Sequence, residues 1–301
     1  MLVDAHCHVH FRGYGEEKGD VVRRARDAGV KMITVGTNLA TSREALAFAE
    51  GQDDVWATVG LHPNHTTASP HHDEEELASA PPTEGERFDA DAFRVLASHP
   101  KCVAIGECGL DYYRLAGDAS EAKARQTAAV RAQFDLATEA GKPVVIHCRD
   151  GSTPLTTGAH ADQLALIREY VADGKLSRRG VIHCFTGTLE EAQAYVAAGF
   201  LISFTGIITF PPKASYLPLG KGEHEGVALS ALQRVVQALP LESILVETDS
   251  PYLTPIPFRG KQNEPAHVRF VAEKIGQLKN LPFEEVARAT TENAHHLFSL
   301  S

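Results

Sequence analysis

Eight short apolar segments, each followed by a stretch of helical spacing, constrain the fold of this chain most strongly. Apolar runs of this length are typical of parallel strands that are covered on both faces. The regular alternation predicts an α/β protein, and it favours a closed TIM-type (β/α)8 barrel over an open doubly wound sheet. The predicted strands cover residues 2–8, 31–36, 56–61, 102–106, 143–147, 180–184, 200–204 and 243–248.

The chain length of 301 residues suits one such barrel. No internal repeat or low-complexity linker divides the sequence, so we predict a single domain over residues 1–301. Two polar, proline-containing stretches near 64–88 and 211–226 are predicted to be loop insertions. The first contains a His/Asp/Glu run at 71–76, which we expect to be a solvated surface segment rather than a metal site.

The lack of a recognisable targeting or membrane-spanning segment, together with the net charge, restricts the compartment and the partners that we expect. No segment approaches the roughly 18 apolar residues that span a membrane, and the N-terminus lacks a basic region followed by an apolar one. Five cysteines without close pairing motifs favour reduced thiols. We therefore predict a cytoplasmic protein without membrane contact. The net charge of -10 argues against a broad nucleic-acid surface, although a bound cation can still attract phosphate locally.

The first predicted strand ends in a His-x-His pair. Alternation along an extended strand directs His6 and His8 to one face and Cys7 to the other. Two converging imidazoles suit a divalent metal, although a hydrogen-bonded histidine pair gives the same pattern. Other predicted strand ends carry Glu107, His147, His183, and Glu247 with Asp249. Because active sites of such barrels lie at the carboxyl ends of the strands, these side chains are expected to converge.

The four histidines together with Glu107 and Asp249 are too many donors for one tetrahedral metal. They predict two divalent ions about 3.5 to 4 Å apart, bridged by a carboxylate. Glu107 is the natural bridge, since its strand lies across the barrel from the first and last strands. Magnesium, manganese or zinc would each be compatible with such donors.

Four cysteines each follow a proposed ligand by one residue. By alternation they should point away from the metals, toward the helix layer. We expect buried, unreactive thiols rather than metal ligands or a nucleophile. The four are Cys7, Cys108, Cys148 and Cys184.

Taken in order, the motifs resemble those of the TatD family of metal-dependent deoxyribonucleases, within the amidohydrolase-like barrels. A glutamate rather than a carboxylated lysine at the fourth strand favours this branch. The motifs are Asp-Ala-His-Cys-His at 4–8, Gly-Leu-His-Pro at 60–63, Gly-Glu-Cys-Gly-Leu-Asp-Tyr at 106–112, Ile-His-Cys-Arg at 146–149, His-Cys-Phe-Thr-Gly at 183–187, Glu-Thr-Asp-Ser-Pro-Tyr at 247–252, Arg-Gly at 259–260, Asn-Glu-Pro at 263–265 and Asn-Ala at 293–294.

The resemblance implies the metal ligands and the activity. One ion would be held by His6, His8, Glu107 and Asp249, and the other by Glu107, His147 and His183. The implied activity is exonucleolytic cleavage of DNA phosphodiester bonds, on single strands or strand ends, by a monomer or weak oligomer. The alternative is a metal-dependent amide or ester hydrolase acting on a small molecule or an aminoacylated end. A non-enzymatic binding protein is disfavoured by the complete ligand set.

Catalytic roles are expected for three residues, Glu107, Asp249 and His62. Beside the bridging Glu107, Asp249 is expected to orient the attacking water and take its proton. His62 is expected to contact a phosphate or protonate the leaving oxygen, or else to fix the turn at Pro63. Glu247 is expected to orient ligands rather than to bind metal.

Three arginines, Arg149, Arg114 and Arg259, are candidates for binding phosphate, because guanidinium offers a planar set of donors. For Arg149 and Arg114, pairing with a carboxylate such as Asp111 or Glu247 is the alternative, and Arg259 is expected to bind the substrate backbone. Five aromatic residues lie after strands and are candidates for stacking on unpaired bases, with packing as the default expectation. They are Tyr112, Tyr113, Phe185, Phe210 and Tyr252.

Overall fold

The fold is a nearly closed barrel of eight parallel strands, in which each strand is bonded to the next along the chain. The computed structural model describes residues 1–67, 76, 85–153, 155–211 and 229–300. The predicted TIM-type architecture is confirmed. The strands are β1 Leu2–Cys7, β2 Val30–Val35, β3 Val55–Val59, β4 Cys102–Asp111, β5 Val144–Arg149, β6 Gly180–Ile182, β7 Leu201–Phe204 and β8 Ile244–Val246.

Helices follow the strands and form the outer layer. Their starts carry ordinary capping signals; Thr188, for example, forms a capping box with Glu191. In the described ranges, no helix is long and apolar enough to cross a membrane. Apart from residue 211, the predicted insertion at 211–226 lies outside the described residues. The helices are α1 Lys18–Asp27, α2 Leu39–Ala49, α3 Ala90–Ala97, α4 Ala119–Ala140, α5 Ala159–Ala172, α6 Leu189–Ala197, α7 Ala231–Ala238, α8 Val268–Lys279 and α9 Phe283–Phe298.

The first and last strands meet through the segment that follows β8. The backbone N–H of Asp249 donates to the carbonyl oxygen of His6 at 2.9 Å, and the N–H of His8 donates to Ser250 at 2.7 Å. These backbone bonds alone hold three proposed metal ligands, His6, His8 and Asp249, side by side.

Apolar side chains fill the lower part of the barrel. Val3, Ala5, Val145 and Leu245 belong to one buried cluster of strand residues. Leu297 and Phe298 of α9 join that cluster, and α9 also bonds the start of β1 and of β8. The polar groups are thereby confined to the opposite, carboxyl end of the strands.

Two strands contain one residue more than their neighbours. Between residues 4 and 7, three residue steps of β1 oppose two steps of β2. Between residues 105 and 108, β4 has the same excess over β5. Such β-bulges interrupt the alternation of side chains and re-aim them. As a result His6 points into the barrel although Ala5, the residue before it, also belongs to the interior cluster.

The predicted ends of five strands, β3, β4, β5, β6 and β8, were wrong by two residues or more, and three of these errors concern proposed ligands. Strand β4 continues to Asp111, so Glu107 lies within a strand rather than beyond its end. Strand β6 stops at Ile182 and β8 at Val246, which places His183 and Asp249 on the segments that follow them. The backbone N–H groups of His183 and Asp249 still donate to the neighbouring strands, at Ile146 and His6, so both side chains remain anchored to the barrel.

Gly109 allows the extended β4 to lie close against β5. Its φ is +140°, and a Cβ built there would lie 1.9 Å from the carbonyl oxygen of His147. Only glycine fits both conditions. The close approach brings Glu107 beside the ring of His147.

Candidate metal centre

Glu107 lies at the centre of a histidine cluster at the carboxyl end of the barrel. Its Oε1 is 2.8 Å from Nε2 of His183, 3.0 Å from Nδ1 of His147 and 3.3 Å from Nε2 of His62. Its Oε2 is 3.4 Å from Nε2 of His6. Both oxygens therefore face nitrogen donors, as a bridging carboxylate requires.

A second group of donors lies beside the first. The Nε2 atoms of His6 and His8 are 3.3 Å apart, and Oδ1 of Asp249 is 3.7 and 3.4 Å from them. Nδ1 of His8 lies 2.8 Å from the carbonyl oxygen of Val35, so it carries the proton and leaves Nε2 free as a ligand. Two nitrogen atoms so close, with a carboxylate between them, match the donor set of a divalent cation.

Carboxylates also lie behind two of the histidines. Oδ2 of Asp111 is 3.0 Å from Nε2 of His147, and Oε1 of Glu247 is 3.3 Å from Nδ1 of His183. A carboxylate on the far nitrogen of a metal-binding histidine fixes its tautomer and ring orientation. The orienting role of Glu247 stays a prediction, since its carboxylate also has an oxygen within 4.8 Å of donor atoms of His6 and His183.

The histidines of the cluster stabilise the ionised forms of its two carboxylates, Glu107 and Asp249. Although burial opposes it, the charges of His183 and neighbouring histidines hold the pKa of Glu107 well below its ordinary value. Burial likewise opposes ionisation of Asp249, but its hydrogen bond with His8 lowers the pKa of that carboxyl. Both carboxylates are thus anionic at neutral pH, as metal binding requires.

Three overlapping groups have all their donor atoms within 4.8 Å of one another: His6 with His8 and Asp249, His6 with His183 and Glu247, and His62 with Glu107 and His147. The first contains three of the predicted ligands of one ion. His147 and His183, the predicted histidines of the other ion, both contact Glu107. The residues present therefore fit divalent metal binding.

His62 presents a proton to this cluster. The backbone N–H of Asn64 donates to its Nδ1 at 3.1 Å, so the neutral ring carries its proton on Nε2, the atom facing Glu107. Burial lowers the pKa of His62, which favours this neutral form. The side chain both faces the site and accepts a hydrogen bond within the turn at Pro63, whereas its role toward a phosphate or a leaving oxygen stays a prediction.

A cavity of about 530 Å³ opens above the cluster, with Arg114 and Arg149 in its wall. In the described part of the chain, neither arginine forms an ion pair, so the predicted pairing alternative with Asp111 or Glu247 is not realised. Arg259 does not line this cavity; its guanidinium lies 4.3 Å from the ring centre of Phe210. Two of the three predicted phosphate-binding arginines are therefore beside the cluster.

Glu76 also lines the cavity, which the sequence did not indicate. Its side chain is only 9% exposed, Oε1 lies 3.0 Å from Nε2 of His65, and it accepts the hydroxyl of Thr37. The expectation of a solvated residue was wrong here, because an ion pair and a hydrogen bond near the ends of β2 and β3 offset its burial. Residues 71–75 lie outside the described residues.

The sequence family of the chain is decided by comparison with known proteins. The family model described as TatD related DNase matches residues 3–299. The chain belongs to this family. The TatD resemblance read from the motifs is thereby confirmed, and the chain is a metal-dependent hydrolase of the TatD family.

Three relatives illustrate the match. The uncharacterized metal-dependent hydrolase YabD of Bacillus subtilis is 35% identical, with 100% of both chains covered. The 3'-5' ssDNA/RNA exonuclease TatD of Edwardsiella piscicida is 37% identical over 95% of this chain and 96% of its own. The crystal structure of YJJV, a TatD homolog from Escherichia coli, has a TM-score of 0.77 at 28% identity, covering 100% of this chain and 98% of that one.

The cysteines of this TatD-family chain follow the predicted pattern in three of four positions. Cys7, Cys108 and Cys148 are buried in the core between strands and helices. Cys184 is only half-buried and lines the cavity, so the expectation of burial was wrong there. The reason is that β6 ends before it and its φ is +45°, so strand alternation does not apply.

We expect a small thiol reagent to modify Cys184 slowly and to leave the other four thiols of the folded chain unmodified. Burial raises the pKa of Cys184 well above its ordinary value, which keeps the thiolate scarce, but its side chain is the one that is not fully buried. Mass spectrometry after labelling measures the sites. Cys184→Ser should abolish the modification, and rapid labelling of Cys7 or Cys108 would contradict the assignment.

Proposed function

We propose that the chain is a metal-dependent deoxyribonuclease that removes nucleotides from the end of single-stranded DNA. The observation that carries this proposal is a carboxylate, Glu107, in contact with four histidines, beside two arginines of the cavity wall that have no carboxylate partner among the described residues. Histidine and carboxylate donors suit metal-assisted hydrolysis, and arginines without an acidic partner suit a phosphodiester better than an amide.

The proposed roles follow from the positions of the side chains. Ions held by His6, His8, Glu107, Asp249, His147 and His183 would polarise the phosphoryl oxygens and activate water. Asp249, anionic and 15% exposed at the cavity, would accept the proton of the attacking water. His62 would donate its Nε2 proton to a phosphoryl or leaving oxygen.

The charges around the cavity support a substrate held locally at its end. Arg114 and Arg149 can hold phosphates on one part of the wall, whereas Glu76 and Glu86 make another part acidic. A continuing phosphate chain would be repelled from the acidic part, so the strand is expected to extend over the arginines only. The overall charge of -10 also disfavours tracking along a duplex.

The test is to remove metal from the protein with a chelator, add back magnesium, manganese or zinc one at a time, and measure hydrolysis. We expect end-labelled single-stranded DNA to be shortened from one end, and the ion that restores activity to be the one that binds stoichiometrically. RNA, duplex DNA and a panel of amide and ester substrates are compared under the same conditions.

Circular single-stranded DNA provides the control for action at an end. An exonuclease leaves the circle intact, whereas nicking of the circle would contradict end-directed cleavage. Hydrolysis of an amide or ester substrate without cleavage of any nucleic acid would replace the proposal with the alternative of a small-molecule hydrolase.

A further inference from the structure

Tyr113 differs from the other aromatic residues that follow strands, because its side chain faces solvent. It is 53% exposed, whereas Tyr112 and Phe185 are buried at 1% and 2%. Tyr112 also donates its hydroxyl to Asp162 at 2.7 Å, as expected of a packed residue. A single exposed apolar side chain is ordinary in proteins, so the inference depends on what the ring of Tyr113 contacts.

The exposed ring lies under the guanidinium of a cavity-lining arginine. The Cζ atom of Arg149 is 3.9 Å from the ring centre of Tyr113. Arg149 also contributes to the cavity wall above the metal centre. A tyrosine ring and a stacked guanidinium form a planar apolar and cationic surface, which is the surface that a nucleobase stacks on.

The position of this pair is fixed by the strands rather than by a free loop. The N–H of Tyr112 donates to the carbonyl oxygen of Arg149 at 2.8 Å, continuing the pairing of β4 with β5. Oδ1 of Asp111 accepts the N–H groups of Tyr113 at 2.9 Å and Arg114 at 3.0 Å. The backbone that carries Tyr113 is therefore held in place before substrate binds.

The same carboxylate connects the pair to the metal centre. Oδ2 of Asp111 lies 3.0 Å from Nε2 of His147, while its Oδ1 holds the turn that carries Tyr113. A base on Tyr113 would thus be at a fixed distance from the phosphate bound at the centre.

We propose that Tyr113 and Arg149 form a stacking platform for an unpaired nucleobase of the strand being cleaved. The base would stack on this pair of side chains, and Arg114 would bind a neighbouring phosphate. This inference rests on the proposed nuclease function and specifies which feature of the substrate is recognised. A base inside a duplex has both faces covered by its neighbours, whereas an unpaired base can turn a face toward the platform, so the platform favours single strands.

Binding of a non-cleaved probe tests the platform independently of turnover. The probe is a fluorescein-labelled oligothymidylate with phosphorothioate linkages, compared with probes that carry one abasic residue at one of the three terminal positions. For the metal-loaded wild type, we expect the abasic residue at the platform position to raise Kd about tenfold, within the range for base–aromatic stacking.

Tyr113→Ala should raise the Kd of the base-bearing probe by the same factor of about ten and have no further effect on the abasic probe. Tyr113→Phe, which keeps the ring, should bind within about twofold of wild type. Val95→Ala, which removes another exposed apolar side chain away from the cavity, is the matched control and should be unchanged. Equal loss on base-bearing and abasic probes, or no loss, overturns the platform.

Cleavage of the unmodified strand is measured in parallel to separate the two proposals. Cleavage without a Tyr113-dependent base preference overturns the platform and leaves the nuclease function standing. A Tyr113-dependent base preference without cleavage overturns the nuclease function and leaves the platform standing. Neither binding nor cleavage overturns both.

Discussion

Asp249→Asn is expected to reduce hydrolysis of single-stranded DNA by about three orders of magnitude at saturating metal, the middle to upper range for loss of a general base. The carboxylate is anionic, borders the cavity and lies 3.4 Å from Nε2 of His8. An amide of the same shape cannot take the proton of the attacking water. Turnover of end-labelled strands, with metal content measured on the same samples, gives the result.

The asparagine substitution is also the one that preserves the local backbone. Asp249 has a φ of +56°, a left-handed conformation that asparagine adopts more readily than other replacements. Its backbone N–H bond to His6 does not involve the side chain. We therefore expect the variant to fold, with a thermal unfolding midpoint lowered only by loss of the ionic contact with His8. Asp173→Asn, at an exposed helix end, is the matched control, and activity of Asp249→Asn near that of the control would exclude Asp249 as the base.

Glu107→Gln is expected to have the largest effect on metal binding. The carboxylate contacts four histidines, and the amide would place an N–H donor against nitrogen atoms that must remain free to bind metal. We expect metal affinity to fall by more than the roughly 100-fold that loss of an outer partner costs. Calorimetric titration of metal into the metal-free protein measures the affinity. Hydrolysis should fall in proportion to the metal that is lost.

Glu247→Gln provides a graded comparison with Glu107→Gln. Glu247 lies behind His183, where its Oε1 also accepts the N–H of Cys184 at 2.6 Å. Substitution of a residue that only orients a ligand should lower metal affinity about 10- to 100-fold. Equal losses for the two variants would mean that Glu247 binds metal directly, whereas wild-type affinity in Glu107→Gln would remove Glu107 from the metal centre.

The barrel and the convergence of its polar strand ends could be predicted because both depend on local patterns. Apolar runs mark the strands, and the rule that parallel strands present their carboxyl ends together brings His6, Glu107, His147 and His183 to one place. The contacts of Glu107 with all three histidines agree with that expectation.

The remaining features depend on contacts between distant segments. Burial of Glu76 requires His65 and Thr37 as partners, and nothing in the local run of acidic residues indicates them. Likewise, exposure of Tyr113 and burial of Tyr112 could not be distinguished from two adjacent tyrosines. The early end of β6 changed the environment of Cys184, since a strand boundary depends on the neighbouring strands as well as on its own sequence.

The extra residues in β1 and β4 make the spacing of these segments as important as their composition. Because of the extra residue, Ala5 and His6 both face the interior, one in the apolar cluster and one in the metal centre. Removing Ala5 would restore an uninterrupted alternation with β2 and put His6 in its place, so His6 and His8 would still face the interior. A single-codon deletion there would thus keep the histidine pair and cost the hydrophobic base one side chain. When sequences of such barrels are aligned, a one-residue gap at position 5 is therefore compatible with a retained metal centre.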